Sequence, residues 1–386
     1  MLKELFLLDP DIIYLNHGSF GACPKPVFAE YQSWQRRLEW QPVEFLGVDL
    51  DDYLLQARQN LGRYVNSHEN NIVFIPNATH GVNIVARSLK FNPGDEILTS
   101  NHEYGACNFI WESVCEKDGS VYKCQSITAP FISDEELINQ LWQGVTPKTK
   151  LIFISHITSP TSLLMPIQII CQRARQAGIL TLIDGAHAPG QIPLDLDTIQ
   201  PDFYVGNCHK WMLSPKGAGF IYAKPEVQSL IEPLIISWGY QSKFAVPRVS
   251  TFVDFLQWRG TNDPAASLSV PTAIEFMKYH HWDDIRKRCH GILCFAIEGI
   301  SDFTGLKPLY TSDSDLFNQM ATIPIPQIKN LPEFKNKLLS EYKIEIPYID
   351  WENHHYLRLS VQGYNTLDDI NQLINALKSL IPTTLA

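Results

Sequence analysis

Positive charge and long apolar runs are scarce in this 386-residue sequence. Its 31 Lys and Arg residues stand against 41 Asp and Glu residues, which gives a formal net charge of -10. Such a chain repels phosphate-rich surfaces at long range, so the composition argues against nucleic acid or an anionic membrane as a partner. No uncharged apolar run approaches the roughly 20 residues of a membrane-spanning helix, and the start of the chain is too acidic for a signal peptide. We therefore expect a cytoplasmic protein.

Disulfide and metal-finger patterns are also missing. The sequence has eight cysteines, with no CxxC pair and no zinc-finger spacing among them. Scattered cysteines of this kind are typical of buried thiols in a reducing compartment. The sequence predicts neither disulfides nor a metal site.

The apolar residues that are present suffice for two domains, because 45% of the chain is hydrophobic and 11% is aromatic. We expect an N-terminal segment over 1–20 associated with the smaller domain, a large domain over 21–250 and a small C-terminal domain over 251–386. The break between domains is expected in the region 238–263, which is rich in turn-forming residues.

Short β-branched runs alternate with helical patterns between residues 72 and 223. The predicted strands are 72–75, 96–99, 151–154, 180–183, 202–205 and 220–222. Several are apolar at every position, which is typical of parallel strands that are covered on both faces. The segment 166–178 has a helical pattern that ends at Gly178. These features predict an α/β domain with a mainly parallel central sheet flanked by helices.

The pattern changes after about residue 245. Longer helical stretches occur at 265–300 and 366–380, with an alternating strand at 356–360. Thr366 with Asp369 resembles a capping box that begins the last helix. This part of the chain predicts a smaller α+β domain.

The turn after the first predicted strand suits a phosphate group. In doubly wound sheets, ligands bind beyond the carboxyl ends of the strands, and residues 76–81 form a small, hydroxyl-bearing turn before a helical pattern. A helix N-terminus there offers free backbone N–H groups and a favourable dipole to an anion. Taken alone, an ordinary N-cap by Thr79 explains this turn better.

An aspartate and a lysine each follow another predicted strand. Asp184 follows the run 180–183, and a buried carboxylate there needs a cationic or donor partner such as a protonated pyridine nitrogen. A metal ligand, a helix cap and a turn residue are the alternatives for Asp184. Lys210 follows the run 202–205 and could form a Schiff base with a carbonyl cofactor, although a single lysine of this kind is more often solvated. The phosphate turn, the aspartate and the lysine together match the phosphate, the ring nitrogen and the aldehyde of pyridoxal 5'-phosphate (PLP). We therefore predict PLP as the cofactor.

The chain resembles the class V aminotransferase branch of the fold-type I PLP enzymes, and within it the isopenicillin N epimerase-like proteins. The motifs that carry this resemblance span almost the whole sequence and are NHGSFG at 16–21, NATHG at 77–81, HEYGA at 102–106, DGAHAPG at 184–190, GNCHKW at 206–211, RGT at 259–261 and RLS at 358–360. The resemblance implies an enzyme with the fold-type I architecture.

The resemblance also implies how PLP is held. Lys210 corresponds to the lysine that binds the cofactor, and Asp184 to the partner of its ring nitrogen. The phosphate group is expected to be bound by four residues, which are Ala78, Thr79, Asn207 and His209. Thr261 is expected to reach the cofactor phosphate of a second subunit, and this implies a homodimer.

Further roles follow from the same motifs. Tyr104 is expected to stack on the cofactor, although a plain core aromatic is the alternative. His187 and His156 are candidates to donate to the phenolic oxygen of PLP. The alternative for His187 is an exposed turn residue, and the alternative for His156 is a structural role. Arg358 is expected to bind the substrate carboxylate, with a wall of the substrate site formed by Asn16, His17 and Gly18.

The reaction is left open by these residues. We expect an amino-acid epimerase or racemase that removes the α-proton of a PLP-bound amino acid, with Lys210, Asp184, Tyr104 and His187 as catalytic residues. A carbon-sulfur lyase, an aminotransferase and a binding protein without catalysis are the alternatives. A persulfide mechanism is disfavoured because residues 344–358 contain no cysteine, where cysteine desulfurases of this class carry one on a loop before the arginine.

Overall fold

Strands and helices alternate through the first part of the chain in the computed structural model, which describes residues 2–385. The strands are β1 Ile13–Tyr14, β2 Ile72–Ile75, β3 Glu96–Ser100, β4 Val121–Gln125, β5 Thr149–Ser155, β6 Leu180–Gly185, β7 Phe203–Asn207, β8 Gly219–Ala223, β9 Met320–Pro324, β10 Ile344–Glu345, β11 Tyr348–Trp351 and β12 His354–Ser360. The helices are α1 His17–Phe20, α2 Lys25–Trp40, α3 Pro42–Glu44, α4 Leu50–Tyr64, α5 Ala78–Ser88, α6 Gly105–Asp118, α7 Asp134–Trp142, α8 Ile167–Gln176, α9 Leu196–Ile199, α10 Thr251–Gln257, α11 Ala265–Leu268, α12 Val270–Tyr279, α13 Trp282–Thr304, α14 Leu331–Tyr342 and α15 Leu367–Thr384.

A seven-stranded sheet forms the centre of the large domain, in the order β2-β8-β7-β6-β5-β3-β4. Strands β4, β3, β5, β6 and β7 pair in parallel, whereas β8 is antiparallel to both β7 and β2. The predicted mainly parallel sheet is therefore confirmed, and β8 is the strand that runs the other way.

Alternate residues of these strands enter two separate cores. Ile152 and Ile154 of β5 pack in one apolar cluster, while Leu151 and Phe153 pack in a second cluster together with residues of α5 and α6. Because both faces are covered, β5 is apolar along most of its length, as expected for a buried parallel strand.

A three-stranded antiparallel sheet, in the order β11-β12-β9, forms the centre of the smaller domain. Helix α13 packs against β9 of this sheet, and α15 packs against α13. The capping box of Thr366 and Asp369 is present at the start of α15. The N-terminal strand β1 pairs in parallel with β10, which ties the first residues to this domain.

One prediction about helices needs correction. The stretch 265–300 forms three helices, α11, α12 and α13, because the helix is interrupted at Ser269 and the chain leaves helical geometry again at His281, where φ is +50°. Helix α10 begins just after the predicted domain boundary, yet it packs against β2 of the large sheet. Within residues 2–385, no helix combines the length and apolar character needed to cross a membrane.

Candidate active site

The carboxyl ends of the parallel strands bring the predicted site residues to one edge of the sheet. Asp184 lies at the end of β6, Asn207 ends the neighbouring β7, and Ala78 begins α5 just after β2. Lys210 follows β7 in the turn that leads back to β8. The three predicted anchoring points for PLP therefore lie side by side, as the chain order of the motifs indicated.

The N-terminal segment passes close behind the lysine. Gly21 has a φ of +69°, and a Cβ atom on it would lie 2.2 Å from the carbonyl oxygen of His209. His17 is fully buried, and its Nε2 lies 3.0 Å from the carbonyl oxygen of Lys210. Because a carbonyl oxygen only accepts, His17 carries a proton on Nε2 and holds the backbone of Lys210 in place.

The side chain of Lys210 contacts His187. The distance from Lys210 Nζ to His187 Nε2 is 3.2 Å, and Trp211 Nε1 donates to the other ring nitrogen, His187 Nδ1, also at 3.2 Å. Burial lowers the pKa of Lys210 to about 8, with a smaller contribution in the same direction from Arg358. At pH 7 about a tenth of Lys210 would thus be an unprotonated amine, which is the nucleophilic and basic form and is far scarcer in an ordinary lysine.

Asp184 has a carboxylate oxygen that is poorly satisfied. Its Oδ1 accepts the backbone N–H of Ala186 at 2.9 Å, but the donor at Oδ2 is the thiol of Cys107, at 3.6 Å. Burial raises the pKa of Asp184, against the opposing effect of the Ala186 N–H and of Lys210. A protonated ring nitrogen at Oδ2 would supply the cation that keeps this carboxylate ionised.

The start of α5 offers donors for a phosphate. Asn77 caps the helix by accepting the N–H of His80, and Asn207 Oδ1 accepts the N–H of Ala78 at 2.8 Å. Among residues 2–385 no partner occupies the N–H of Thr79, and α5 is long enough for its dipole to favour an anion there. Asn207 therefore positions the helix end through Ala78, while the N–H of Thr79 is free for a ligand.

His209 directly precedes Lys210 in the turn after β7. Its Nδ1 lies 2.7 Å from the carbonyl oxygen of Ala218, so Nδ1 carries the proton and Nε2 has a lone pair. Burial lowers the pKa of His209 to about 4. A bound phosphate dianion would favour protonation of Nε2, because an opposite charge stabilises the imidazolium.

Arg358 is a buried cation without an anion. Only 6% of its surface is exposed, and its guanidinium donates to Ser159 and to Ser19 Oγ. Among residues 2–385, its Nε has no hydrogen-bond partner, and no carboxylate lies within ion-pair distance of it. Burial lowers the pKa of Arg358 to about 10. This guanidinium can bind an incoming carboxylate, which would relieve the unpaired charge.

Two predicted residues remain at the surface. Tyr104 precedes α6, is 48% exposed and lies near enough to Arg358 to raise the pKa of its guanidinium. Thr261 is exposed beside Trp238 and Phe244 in a shallow surface pocket, and Lys210 and Asp184 do not line that pocket. The structure therefore places Tyr104 at the mouth of the site and leaves Thr261 outside the site of its own chain.

Four further predicted residues have mainly internal contacts. His156 Nδ1 lies 3.0 Å from Tyr204 OH, and His156 is one of the residues that line a cleft beside α13. His17 has both ring nitrogens occupied and lies behind Lys210, so it has no free atom for a wall of the substrate site. Asn16 bonds Ser19 and Glu345, and Gly18 packs against Met320 and Ser360.

Several residues with clear contacts at the site were not predicted as site residues. Trp211, Cys107 and Ser19 contact His187, Asp184 and Arg358, respectively. Trp211 and Ser19 stand inside the quoted motifs, next to predicted residues. Cys107 follows HEYGA directly, but its neighbour Asp184 lies 77 residues further along the chain.

The residues at this edge fit PLP. An amine of lowered pKa, a buried carboxylate oxygen with only a thiol donor, and a free N–H at a helix N-terminus match its aldehyde, ring nitrogen and phosphate. Together with the parallel sheet and the smaller domain, they define a PLP-dependent enzyme of fold type I.

The comparisons with known proteins agree with this class. Residues 22–373 match the family Aminotransferase class-V. An isopenicillin N epimerase of Amycolatopsis lactamdurans is 32% identical over 98% of this chain and 97% of its own length. A probable chloroplastic L-cysteine desulfhydrase of Arabidopsis thaliana is 26% identical over 97% of this chain and 84% of its own length. In fold, the chain is similar to a cysteine desulfurase of Escherichia coli, with a TM-score of 0.82, 20% identity and coverage of 99% and 98%.

The chain belongs to the class-V aminotransferase family, and its cofactor is pyridoxal 5'-phosphate. The resemblance and the cofactor predicted from the sequence are thereby confirmed. The roles of the individual residues stay predictions.

Proposed function

We propose that the protein is an amino-acid epimerase or racemase that acts by removing the α-proton of its substrate. Similarity to isopenicillin N epimerase over nearly the whole chain carries the choice of reaction. The lowered pKa of Lys210 supports proton removal, because a general base works best when its pKa lies near the working pH.

Each site residue has a role in this proposal. Bound PLP supplies an electron sink for the negative charge left when the α-proton is removed. Lys210 Nζ takes that proton, and Arg358 binds the substrate carboxylate and so orients the α-carbon toward the amine. Asp184 keeps the ring nitrogen protonated, and His187 lies within hydrogen-bond distance of the amine. Tyr104, at the mouth of the site, excludes water and is a candidate for the second proton carrier.

Carbon-sulfur lyase activity is the second candidate, because a relative of nearly full-length similarity is named an L-cysteine desulfhydrase. Loss of a group from the side chain starts with the same proton removal. A persulfide route on the enzyme is not supported by the thiol nearest to Asp184, since burial raises the pKa of Cys107 and keeps it unreactive. Aminotransfer is a third outcome of the same residues, and a non-catalytic role is disfavoured because both Lys210 and Asp184 are present.

One incubation separates these reactions. Single L-amino acids, including cysteine and cystine, are incubated with the PLP-loaded protein in heavy water. An epimerase exchanges the α-proton and loses optical purity without forming a keto acid. Ammonia with sulfide or a thiol indicates the lyase, and an α-keto acid formed from an amino donor indicates the aminotransferase. Lys210→Ala should abolish the exchange.

A homodimer is part of the proposal. An exposed apolar surface lies beside Thr261, and Ile236, Trp238 and Phe244 are its most exposed apolar members. Exposed patches of this kind mark association sites in many proteins, and a second copy placed there would bring Thr261 toward the other subunit. The cytoplasmic location stays a prediction.

A further inference from the structure

Trp211 is the residue in contact with the far side of the His187 ring. It is fully buried, and its indole N–H is directed at His187 Nδ1. An indole nitrogen only donates, so Nδ1 of His187 has to accept. A doubly protonated imidazole would place two N–H groups against each other. The contact therefore allows one form of His187, which is neutral and protonated on Nε2.

The surroundings of Trp211 keep its indole in this position. Gly190 has a φ of +89°, and a Cβ atom there would lie 2.3 Å from the backbone of Trp211. The ring of His17 packs against the indole with 5.0 Å between centroids, and Gly18 leaves room beside it. The backbone of His187 is held as well, because its carbonyl oxygen accepts from Gln191 at 2.8 Å.

We propose that Trp211 is a positioning residue that fixes the proton of His187 on Nε2, so that His187 presents a hydrogen-bond donor to the reactive amine of Lys210. At 3.2 Å, this donor is compatible with a lone pair on Lys210 Nζ, whereas a protonated amine would place donor against donor. The arrangement favours the neutral amine whichever reaction follows.

Charges around the pair agree with this arrangement. The titratable and charged groups that face His187 and Lys210 are Arg358, Asp184, His17 and Cys107. Arg358 disfavours a second cation beside it, and burial lowers the pKa of His187 well below its usual value, with Lys210 as the next cause. When PLP occupies Lys210, the Nε2 proton of His187 is available to an acceptor on the cofactor or substrate.

The protonation of His187 can be observed directly in the PLP-loaded protein labelled with ¹⁵N-histidine. The His187→Gln variant lacks one pair of histidine ring resonances, and comparison with it assigns the two ring-nitrogen signals of His187. Between about pH 6 and 8 we expect an unprotonated Nδ1 and a protonated Nε2. A protonated Nδ1 in the unaltered protein overturns the proposal, and this result needs no variant of Trp211.

Trp211→Phe removes the indole N–H and keeps an aromatic ring. Nδ1 of His187 then becomes free to bind a proton, so His187 is no longer restricted to the neutral form that is protonated on Nε2. The absorbance of lysine-bound PLP should gain a pH transition on the acid side of the usual histidine range, because burial still lowers the pKa of His187. The added change His187→Gln should remove this transition.

Trp111→Phe is the matched control. Trp111 is equally buried in the same domain, but its Nε1 has no hydrogen-bond partner in the described part of the chain, residues 2–385. This variant should retain the histidine spectrum and the pH profile of the unaltered protein. If Trp211→Phe and Trp111→Phe give the same histidine spectra, Trp211 does not position the proton and the proposal is wrong.

Discussion

Arg358 donates from Nη2 to the hydroxyl of Ser19 at 3.1 Å, which joins β12 to the N-terminal segment. The same hydroxyl donates to Asn16 Oδ1, whose amide nitrogen in turn donates to Glu345. Arg358 is thus oriented by neutral groups, and its charge stays available to a ligand. The sequence suggested Asn16 as a direct contact of the substrate, whereas the structure gives it a role through Ser19.

Replacement of Arg358 tests whether it binds the substrate carboxylate. Arg358→Met should raise KM by roughly 30-fold or more, because loss of a buried charged partner costs about 2–5 kcal/mol. The variant should still bind PLP and keep the band of lysine-bound PLP. The control ligand is the amine that has the substrate's side chain but no carboxylate. This amine should bind the unaltered protein and Arg358→Met equally well. If its binding is weakened in the variant as much as that of the substrate, Arg358 has a structural role.

Asp184→Asn tests the partner of the cofactor ring. The amide cannot balance a positive ring nitrogen, so we expect the rate of α-proton exchange to fall by about a hundredfold or more, with altered absorbance of bound PLP. Cys107→Ala is the companion variant, because it removes only the weak thiol donor of Asp184. That variant should retain most of the exchange, and a similar loss in both would point to damaged packing around β6.

The pKa of Lys210 predicts how PLP loading depends on pH. The neutral amine reacts with the aldehyde, and its fraction falls about tenfold per pH unit below the pKa. The absorbance of lysine-bound PLP should therefore develop faster as the pH rises and level off above about 8. A solvated lysine would show no plateau until a pH near 10.4.

Lys216→Ala is the control for this profile. Lys216 lies in the loop before β8 and donates to the carbonyl oxygen of Gly21 at 2.7 Å. Its loss should leave both the colour and the plateau in place, whereas Lys210→Ala should lose the band. A colourless Lys216→Ala protein would mean that the wrong lysine has been assigned.

Sequence patterns predicted the parts of the fold that depend on local residues. Strand β6 is almost wholly apolar up to Asp184, so both the strand and its functional end could be read from consecutive positions. Strand β4 was missed because Val121–Gln125 is an edge strand with partly exposed residues and no apolar run. The break at His281 was missed because one residue with positive φ leaves no mark in hydrophobic periodicity.

Contacts between distant residues could not be predicted in this way. His17 contacts Lys210 and Tyr364, which lie 193 and 347 residues away in the sequence. The glycine-rich motif that contains His17 indicated that this segment lies near the site. It did not indicate that His17 packs against the backbone of Lys210. This packing determines the role of His17, because a fully buried ring with both nitrogens hydrogen-bonded can hold the backbone of Lys210 but cannot bind a substrate.

The exposed apolar surface predicts how the homodimer can be disrupted. Trp238 is 74% exposed, and Phe244, which lines the same pocket, is 81% exposed. Trp238→Glu would bury a charge if a second copy covers this surface, so we expect the protein to shift toward monomer in analytical ultracentrifugation. PLP release should become faster in the same variant, because Thr261 would no longer reach the other subunit. Tyr279→Glu is the control, since Tyr279 is 80% exposed at the end of α12 and lines no part of the Thr261 pocket. A Trp238→Glu protein with unchanged mass in solution would exclude this surface from the interface.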